Sequence, residues 1–326
     1  MTQNIFVFVE YKDGKVRKVS LELLSKAREI TQAKGAVLYA GILGFQVRDI
    51  VETVKEFTDR VIVADDEGLK DYRYDTYVSA LAQVLNKCGP LMVFGGSTVT
   101  GKDLFPRLAA RLNVPIISDA VGIILDGDAV KIKKPLYGGK VISWLSFKEG
   151  VSPMVTFRPN SFSVERVAAR GEVMEERVDV SQDSRVTLLS KDRGGAEKVD
   201  LQEADFIICG GRGMKGSEGF QILEEIADMM GGRVGASRAV VDAKWREYDD
   251  QVGKSGKTVS PKLYIGCGVS GALHHTMGMD TSKVIVAVNK DPNAPIFGYA
   301  DYGIVDDLFA ILPILKEELR KSKQEV

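Results

Sequence analysis

Two histidines make up the whole histidine complement of this 326-residue chain, and they are adjacent: His274 and His275, in Val269-Ser-Gly-Ala-Leu-His-His-Thr276. Neighbours on a helix project about 100° apart, and no Cys or His partner lies nearby in sequence, so metal binding is a weak reading. A general base would lack an evident nucleophile, and no catalytic residue is assigned. A hydrogen-bond donor to a ligand oxygen near a helix start suits the pair better, with two ordinary half-buried histidines as the alternative. A second candidate is Arg238, in Gly235-Ala-Ser-Arg-Ala239. An arginine emerging among small residues needs an anionic or π partner.

Three further stretches have the composition of ligand-binding turns. Gly210-Gly-Arg-Gly213 follows an apolar run. Glycines at a strand-to-helix junction let backbone N–H groups approach an anion, and the helix N-terminus adds partial positive charge. A tight turn with a surface arginine explains the same residues equally well. The polar stretch from about Lys244 to Pro261 contains Gln251-Val-Gly-Lys-Ser-Gly-Lys257. Loops of that length inside a compact domain are usually functional or disordered, and its glycines and flanking strands favour a binding loop. Beyond the last strands, Asn289 and Asp307 are placed to contact ribose or adenine, because ligands of open α/β sheets sit outside the carboxyl ends of strands. A turn Asn and a helix-start Asp are the plain alternatives. Gly96 to Lys102 meets the GxxxxGK spacing, but Asp103 stands where a phosphate loop needs Ser or Thr for magnesium, so a βα turn is the better reading.

The elements that must position these residues alternate. Strands are expected at Ile5 to Val9, Ala36 to Leu43, Arg60 to Ala64 and Leu91 to Phe94. Helices are expected from an N-cap at Ser20 through Ile30, over Val47 to Phe57, over Tyr74 to Leu85, and over Leu104 to Leu112 with Pro106 in its first turn. This rhythm predicts βαβ crossovers and a parallel sheet. Short runs at Ala129 to Ile132, Lys140 to Phe147, Met154 to Phe157 and Val164 to Ala168, broken by Gly and Pro, predict antiparallel additions. Polar Ser181 to Ala204 predicts a boundary near residue 200, giving domains 1–200 and 201–326. The second domain is expected to place strands at Phe206 to Cys209, Arg233 to Val241, Lys262 to Gly268 and Val284 to Val288. Helices follow through Ile222 to Met230, near Gly271 to Thr276, and over Val305 to Leu319 with Pro313 early in it. The fold class is α/β, in two domains, each with a largely parallel sheet flanked by helices.

Bulk properties narrow the function. Lys and Arg total 44 against 45 Asp and Glu, a balance that argues against a nucleic-acid surface. No apolar run approaches the roughly 20 residues of a membrane span. The start of the chain reads as a first strand and not as a signal peptide. Cys88, Cys209 and Cys267 are odd in number and far apart. They suggest a reducing compartment, the cytoplasm, and neither zinc nor a disulfide framework.

The ligand-type stretches together resemble the electron-transfer flavoprotein alpha subunit family. The matching residues are Gly211-Arg-Gly213, Gly235-Ala-Ser-Arg-Ala-Val-Val-Asp242, Gln251-Val-Gly253, Gly256-Lys-Thr-Val259, Pro261, Leu263-Tyr-Ile265, Ser270-Gly-Ala272, Asn289-Lys-Asp-Pro292, Ala294-Pro-Ile-Phe297 and Asp301-Tyr-Gly303. The resemblance implies a Rossmann-like C-terminal domain that binds FAD. It also implies a heterodimer with a beta subunit against which the N-terminal domain packs, and a dehydrogenase, such as an acyl-CoA dehydrogenase, as electron donor. Through it, Arg212 and Ser237 belong to the FAD site, Arg238 lies over the flavin ring and favours its reduced, anionic forms, Ser255 contacts flavin N5, and His275 contacts O2. Gln251 is placed in the same site. Val252, Gly253, Lys254 and Ser255, with Ser270, Gly271, Ala272, Leu273, His274 and His275, surround the ribityl and pyrophosphate. Asn289, Asp307 and Leu308 reach the adenosine.

Lys254, Ser255 and His274 depart from the family's more usual Gln, Thr and Gln. The serine keeps the hydroxyl, while Lys254 and His274 would add positive charge near the flavin and raise its first reduction potential. Three other readings remain beside the simple carrier. One is an electron-bifurcating flavoprotein whose beta subunit holds a second FAD and oxidises NADH. Another is a non-redox nucleotide-binding protein, which leaves Arg238, Ser255 and His275 without a joint purpose. An NAD dehydrogenase ranks last, since Gly211-Arg-Gly213 lacks the third glycine of GxGxxG.

Overall fold

The strand Ile5–Phe8 is apolar at every position and buried at every position, the pattern of a strand covered on both faces. It lies fourth in a sheet of seven parallel strands. The order is Glu172–Glu175, Arg60–Asp65, Leu38–Gly44, Ile5–Phe8, Met92–Gly96, Met154–Phe157 and Ile116–Ala120. The structure is a computed structural model that describes residues 4–324 apart from 128, 149–150, 152, 167–169, 181–185 and 191–198. Two apolar clusters, one on each face, cover this sheet. Val7, Ala40 and Phe94 face one of them, and Phe6, Tyr39 and Val93 face the other. A separate antiparallel sheet joins Gly122–Asp126, Ala129–Leu136 and Val141–Leu145.

Several elements differ from expectation for identifiable reasons. The first helix is Lys18–Lys34, and Ser20 is inside it rather than capping it. The buried Ser20 hydroxyl accepts instead from the Glu10 backbone N–H at 2.8 Å. The helix expected from Leu104 starts at Val99, because Thr98 caps it by accepting from Gly101 N–H at 2.9 Å. Pro106 is therefore inside that helix, where it deprives the Lys102 carbonyl of its donor. A Cβ on Gly101 would come within 1.8 Å of the Gly96 carbonyl oxygen, so this glycine serves close packing. Thr98 donates to the buried Glu10 carboxylate at 2.7 Å, and a carboxylate at this turn is hostile to phosphate.

Met154–Phe157 is not an antiparallel addition. It inserts parallel between Met92–Gly96 and Ile116–Ala120, a long-range pairing that local sequence does not encode. Residues 164–166 form no strand, and the rest of the expected strand Val164 to Ala168 lies outside the described residues. Most of the expected linker Ser181 to Ala204 also lies outside them.

By its internal contacts the chain divides into Met1–Arg193 and Gly194–Val326. The second unit has five parallel strands in the order Arg233–Ala236, Phe206–Gly210, Leu263–Cys267, Val284–Val288, Tyr302–Ile304. The helix Gln221–Met230 buries Leu223, Ile226 and Ala227 at helical spacing against this sheet, each large side chain contributing about 1.5–3 kcal/mol. The strand read from Arg233 stops at Ala236, and Arg238–Asp242 is a short helix. The turn near Gly271 is helical only over Leu273–Thr276. The last helix runs Leu308–Gln324, starting three residues later than expected and ending five later, with Pro313 within it. Among the described residues no helix is long and apolar enough to cross a membrane.

Candidate functional site

The second sheet reverses direction at its centre. From Phe206–Gly210 the chain moves outward to Arg233–Ala236, then crosses back to Leu263–Cys267 on the other side. Such a reversal leaves a crevice outside the carboxyl ends of the two central strands. Here the two exits nearly touch. Gly211 N–H donates to Cys267 O at 2.9 Å, and Gly213 N–H donates to Gly268 O at 3.2 Å. A Cβ on Gly211 would lie 2.1 Å from the Gly268 carbonyl oxygen. One on Gly268, whose φ is +61°, would lie 2.7 Å from Gly213 Cα. Only glycine permits this approach.

A cavity of about 690 Å³ opens at the crevice, within the size range of small-molecule sites. Arg212 comes to its wall from the first turn, and Ser237 and Arg238 from the junction of strand and short helix. Val252, Gly253 and Ser255 come from the long loop, and Ser270, Ala272, His274 and His275 from the turn after Leu263–Cys267. Asn289 and the pair Asp307 and Leu308 complete the expected positions on the wall.

Four expected residues, Gln251, Lys254, Gly271 and Leu273, are not on the wall but support it. Buried Gln251 donates from Nε2 to Ser255 Oγ at 3.0 Å. Lys254 N–H donates to the His274 carbonyl at 2.7 Å, tying loop to turn. Gly271, at φ +80°, admits the backbone of Ile296, which a Cβ would meet at 2.2 Å. Leu273 opens the one-turn helix that carries both histidines.

The wall also includes residues that sequence reasoning passed over. Lys215 and Lys290 add positive charge, and Asp242, Asp291 and Asp306 add negative charge. Lys215 was detectable only through its neighbours. It adopts φ +64°, and its ammonium sits 4.8 Å from the centroid of Phe309, a residue 94 positions away. Lys290 and Asp291 were visible in the Asn289-Lys-Asp-Pro292 motif but carried no assigned role.

Local chemistry constrains each side chain. Arg238 is exposed and pairs with Asp242 at 3.4 Å, one helical turn on. Ser255 accepts from Gln251, which leaves its own hydroxyl proton free for another acceptor. Asn289 donates to Val269 O at 3.0 Å and accepts from Asp291 N–H at 3.0 Å, so its amide shapes the turn. Asp307 accepts from Phe309 N–H at 2.9 Å and caps the last helix. His275 is 7% exposed, and its Nε2 lies 2.7 Å from the Tyr264 hydroxyl. Its Nδ1 is shielded from water, and the ring also bonds the Val252 backbone. Burial pushes the His275 pKa down to about 4, against a smaller upward pull from the Val252 backbone, so the ring is neutral at pH 7.

These features suit a dinucleotide. The cavity has the size of a small-molecule site, and Arg212, Arg238, Lys215 and Lys290 on its wall suit an anionic ligand.

Comparison with known proteins gives the same answer over the whole chain. Residues 5–182 match the electron transfer flavoprotein domain, and residues 200–280 match the electron transfer flavoprotein FAD-binding domain. The electron transfer flavoprotein subunit alpha of Thermoanaerobacterium thermosaccharolyticum is 39% identical, with 98% of this chain and 99% of that protein covered. The subunit alpha of Bacillus subtilis is 41% identical, with 98% of each covered. The acryloyl-CoA reductase electron transfer subunit beta of Anaerotignum propionicum is 34% identical, with 98% of this chain and 96% of that protein covered. This chain therefore belongs to the electron transfer flavoprotein alpha-subunit family, and its C-terminal unit is that family's FAD-binding domain.

Proposed function

We propose that this chain is the FAD-holding subunit of a cytoplasmic electron carrier, paired with a beta subunit against its N-terminal unit and reduced by an acyl-CoA or related dehydrogenase. The observation that carries this reading is the gathering of thirteen of the seventeen expected cofactor positions on one cavity wall, with the other four bracing it. Bound FAD supplies the one- and two-electron chemistry. The chain binds and orients it. Arg238 and Arg212 bring permanent positive charge to an anionic ligand. Ser255, with its acceptor side filled by Gln251, is left as a donor. Gly211, Gly213 and Gly268 let the two strand exits cross closely at the floor of the crevice. Asp307 and Leu308 bring the start of the last helix to the far wall.

The test is co-purification with the partner subunit, a visible spectrum and a flavin count. One FAD per heterodimer supports the simple carrier. Two, with NADH oxidation, replace it with electron bifurcation. A colourless complex that takes up no added FAD overturns the reading.

A further inference from the structure

The first sheet reverses direction as the second does. From Ile5–Phe8 the chain moves outward through Leu38–Gly44 to Arg60–Asp65, then crosses back to Met92–Gly96 on the other side of Ile5–Phe8. The place where an open α/β sheet holds a ligand therefore lies beyond the carboxyl ends of Ile5–Phe8 and Met92–Gly96. The parts of an anion site are gathered there. They are the turn Gly95-Gly-Ser-Thr98, the N-terminus of the 14-residue helix Val99–Leu112, a hydroxyl and an arginine.

That place is filled from within. Glu10 lies two residues past the first of these strands, and Thr98 two residues past the second. They meet, with Thr98 Oγ1 donating to Glu10 Oε2 at 2.7 Å. The same Thr98 oxygen accepts from Gly101 N–H at 2.9 Å, which ties the carboxylate to the first turn of the helix. Glu10 Oε1 lies against Gly96, where a Cβ would come within 2.8 Å of it. The hairpin of Tyr11–Lys12 and Lys15–Val16 turns the chain back on itself. Arg17 N–H then donates to the Glu10 carbonyl at 2.9 Å, and the Arg17 guanidinium stands 3.6 Å from Oε2. Glu10 is 5% exposed. A carboxylate at that depth is costly unless it is both paired and hydrogen-bonded, and this one is both.

We propose that the Glu10 carboxylate is a built-in substitute for the anionic group of a ligand. It is held by the turn, helix start and arginine that would otherwise take a phosphate, and the first unit is closed to nucleotides by its own side chain. Thr98 and Arg17 position that carboxylate. Charge separates this role from ordinary packing: an uncharged side chain of the same shape would fill the space but offer the helix start and Arg17 no negative charge. The inference stands on the first unit alone and does not depend on FAD occupying the second.

Chemical rescue tests it. In the complex with the partner subunit, Glu10→Ala empties the place and retains Arg17 and Thr98. Hydrogen exchange over residues 10–20 and 97–104 should quicken about tenfold or more, the effect of losing a charge-assisted hydrogen bond. Added formate should restore slow exchange in a saturable manner, while formamide, which has the shape without the charge, should not. Wild type and Glu10→Gln, with the space filled, should respond to neither. Unchanged exchange in Glu10→Ala overturns the proposal, as does rescue by both additives or by neither. Formate that slows exchange equally in all three proteins overturns it too. If Glu10→Ala does not fold, the wild type decides. With ¹³C-carboxyl glutamate in this chain, and Glu10 assigned by difference with Glu10→Gln, its signal should be that of an ionised group at neutral pH. A protonated Glu10 overturns the proposal.

Discussion

The crossing of Gly213 and Gly268 can be tested quantitatively, because three glycines of the second unit separate the costs involved. Gly231 has φ +63° with nothing near a Cβ, so Gly231→Ala carries the backbone cost alone, about 1–2 kcal/mol. Gly213 has no positive φ, but a Cβ there meets Gly268 Cα at 2.8 Å and Leu308 Cδ2 at 3.2 Å. Gly213→Ala therefore carries the packing cost alone, roughly 1–3 kcal/mol. Gly268 has both, at φ +61° with contacts of 2.7 Å to Gly213 Cα and 2.8 Å to Leu308 Cδ2. Its replacement by Ala should cost roughly 2–5 kcal/mol. Urea unfolding of the FAD-free chain gives these values. Trp245, packed against the second unit's core, reports that unit once Trp144 of the first is changed to Phe. Flavin titration should show weaker FAD binding for Gly213→Ala and Gly268→Ala and unaltered binding for Gly231→Ala. If Gly268→Ala proves no more costly than Gly231→Ala, the strand exits do not approach as described, and the account of the crevice fails.

Other consequences are equally open to measurement. The depressed His275 pKa means that the unfolded chain binds a proton the folded chain refuses as pH falls from 6.5 toward 4. This contribution is complete above about pH 6.5 and lost through that window, amounting to about 3 kcal/mol, and urea melts against pH should show a shallower slope in His275→Gln. Lys254→Gln and His274→Gln should each lower the first reduction potential of bound FAD by on the order of 20–40 mV, the electrical equivalent of about 0.5–1 kcal/mol. Spectroelectrochemistry that finds both potentials unchanged removes any electrostatic role for these two departures. Asp307→Ala should cost about 1 kcal/mol through loss of the helix cap, while Asp307→Ser should retain most of that stability. A Ser variant that is stable but binds FAD poorly would assign the carboxylate to the ligand as well as to the cap.

Much of this organisation was legible in the sequence because both sheets are parallel and buried. Runs such as Ile5 to Phe8 and Phe206 to Cys209 are apolar at successive positions, and the amphipathic stretches between them set the βαβ order. What local sequence did not encode was long-range pairing. The strand Met154–Phe157 carries no mark of its parallel neighbours, and Ile116–Ala120 mixes Ser and Asp into an edge strand. Boundaries went astray where a side chain had two equivalent uses. Ser20 can cap a helix or hold a neighbouring backbone, and Thr98 offered the better cap. At the site, the motif residues were visible as types and spacings, but not the division between wall and brace. Gln251 and Lys254 look as exposed in sequence as Ser255, yet one is buried beneath it and the other ties the loop through its backbone. Tyr264 was visible in the Leu263-Tyr-Ile265 motif but carried no assigned role, since a tyrosine in a buried strand reads as core.

The wall of the cavity is contributed by turns that lie far apart along the chain, from Gly211 to Leu308. A molecule that grips both ends closes a loop of nearly the whole unit, as a covalent cross-link would, but reversibly and in proportion to its concentration. Thermal history then becomes a record of occupancy. At a free cofactor concentration a hundredfold above its dissociation constant, the loaded unit gains about 2.7 kcal/mol over the empty one. Newly made chains, or chains that have lost their flavin, would be the ones first exposed to proteases. The supply of cofactor would then govern how long the protein persists as well as whether it works.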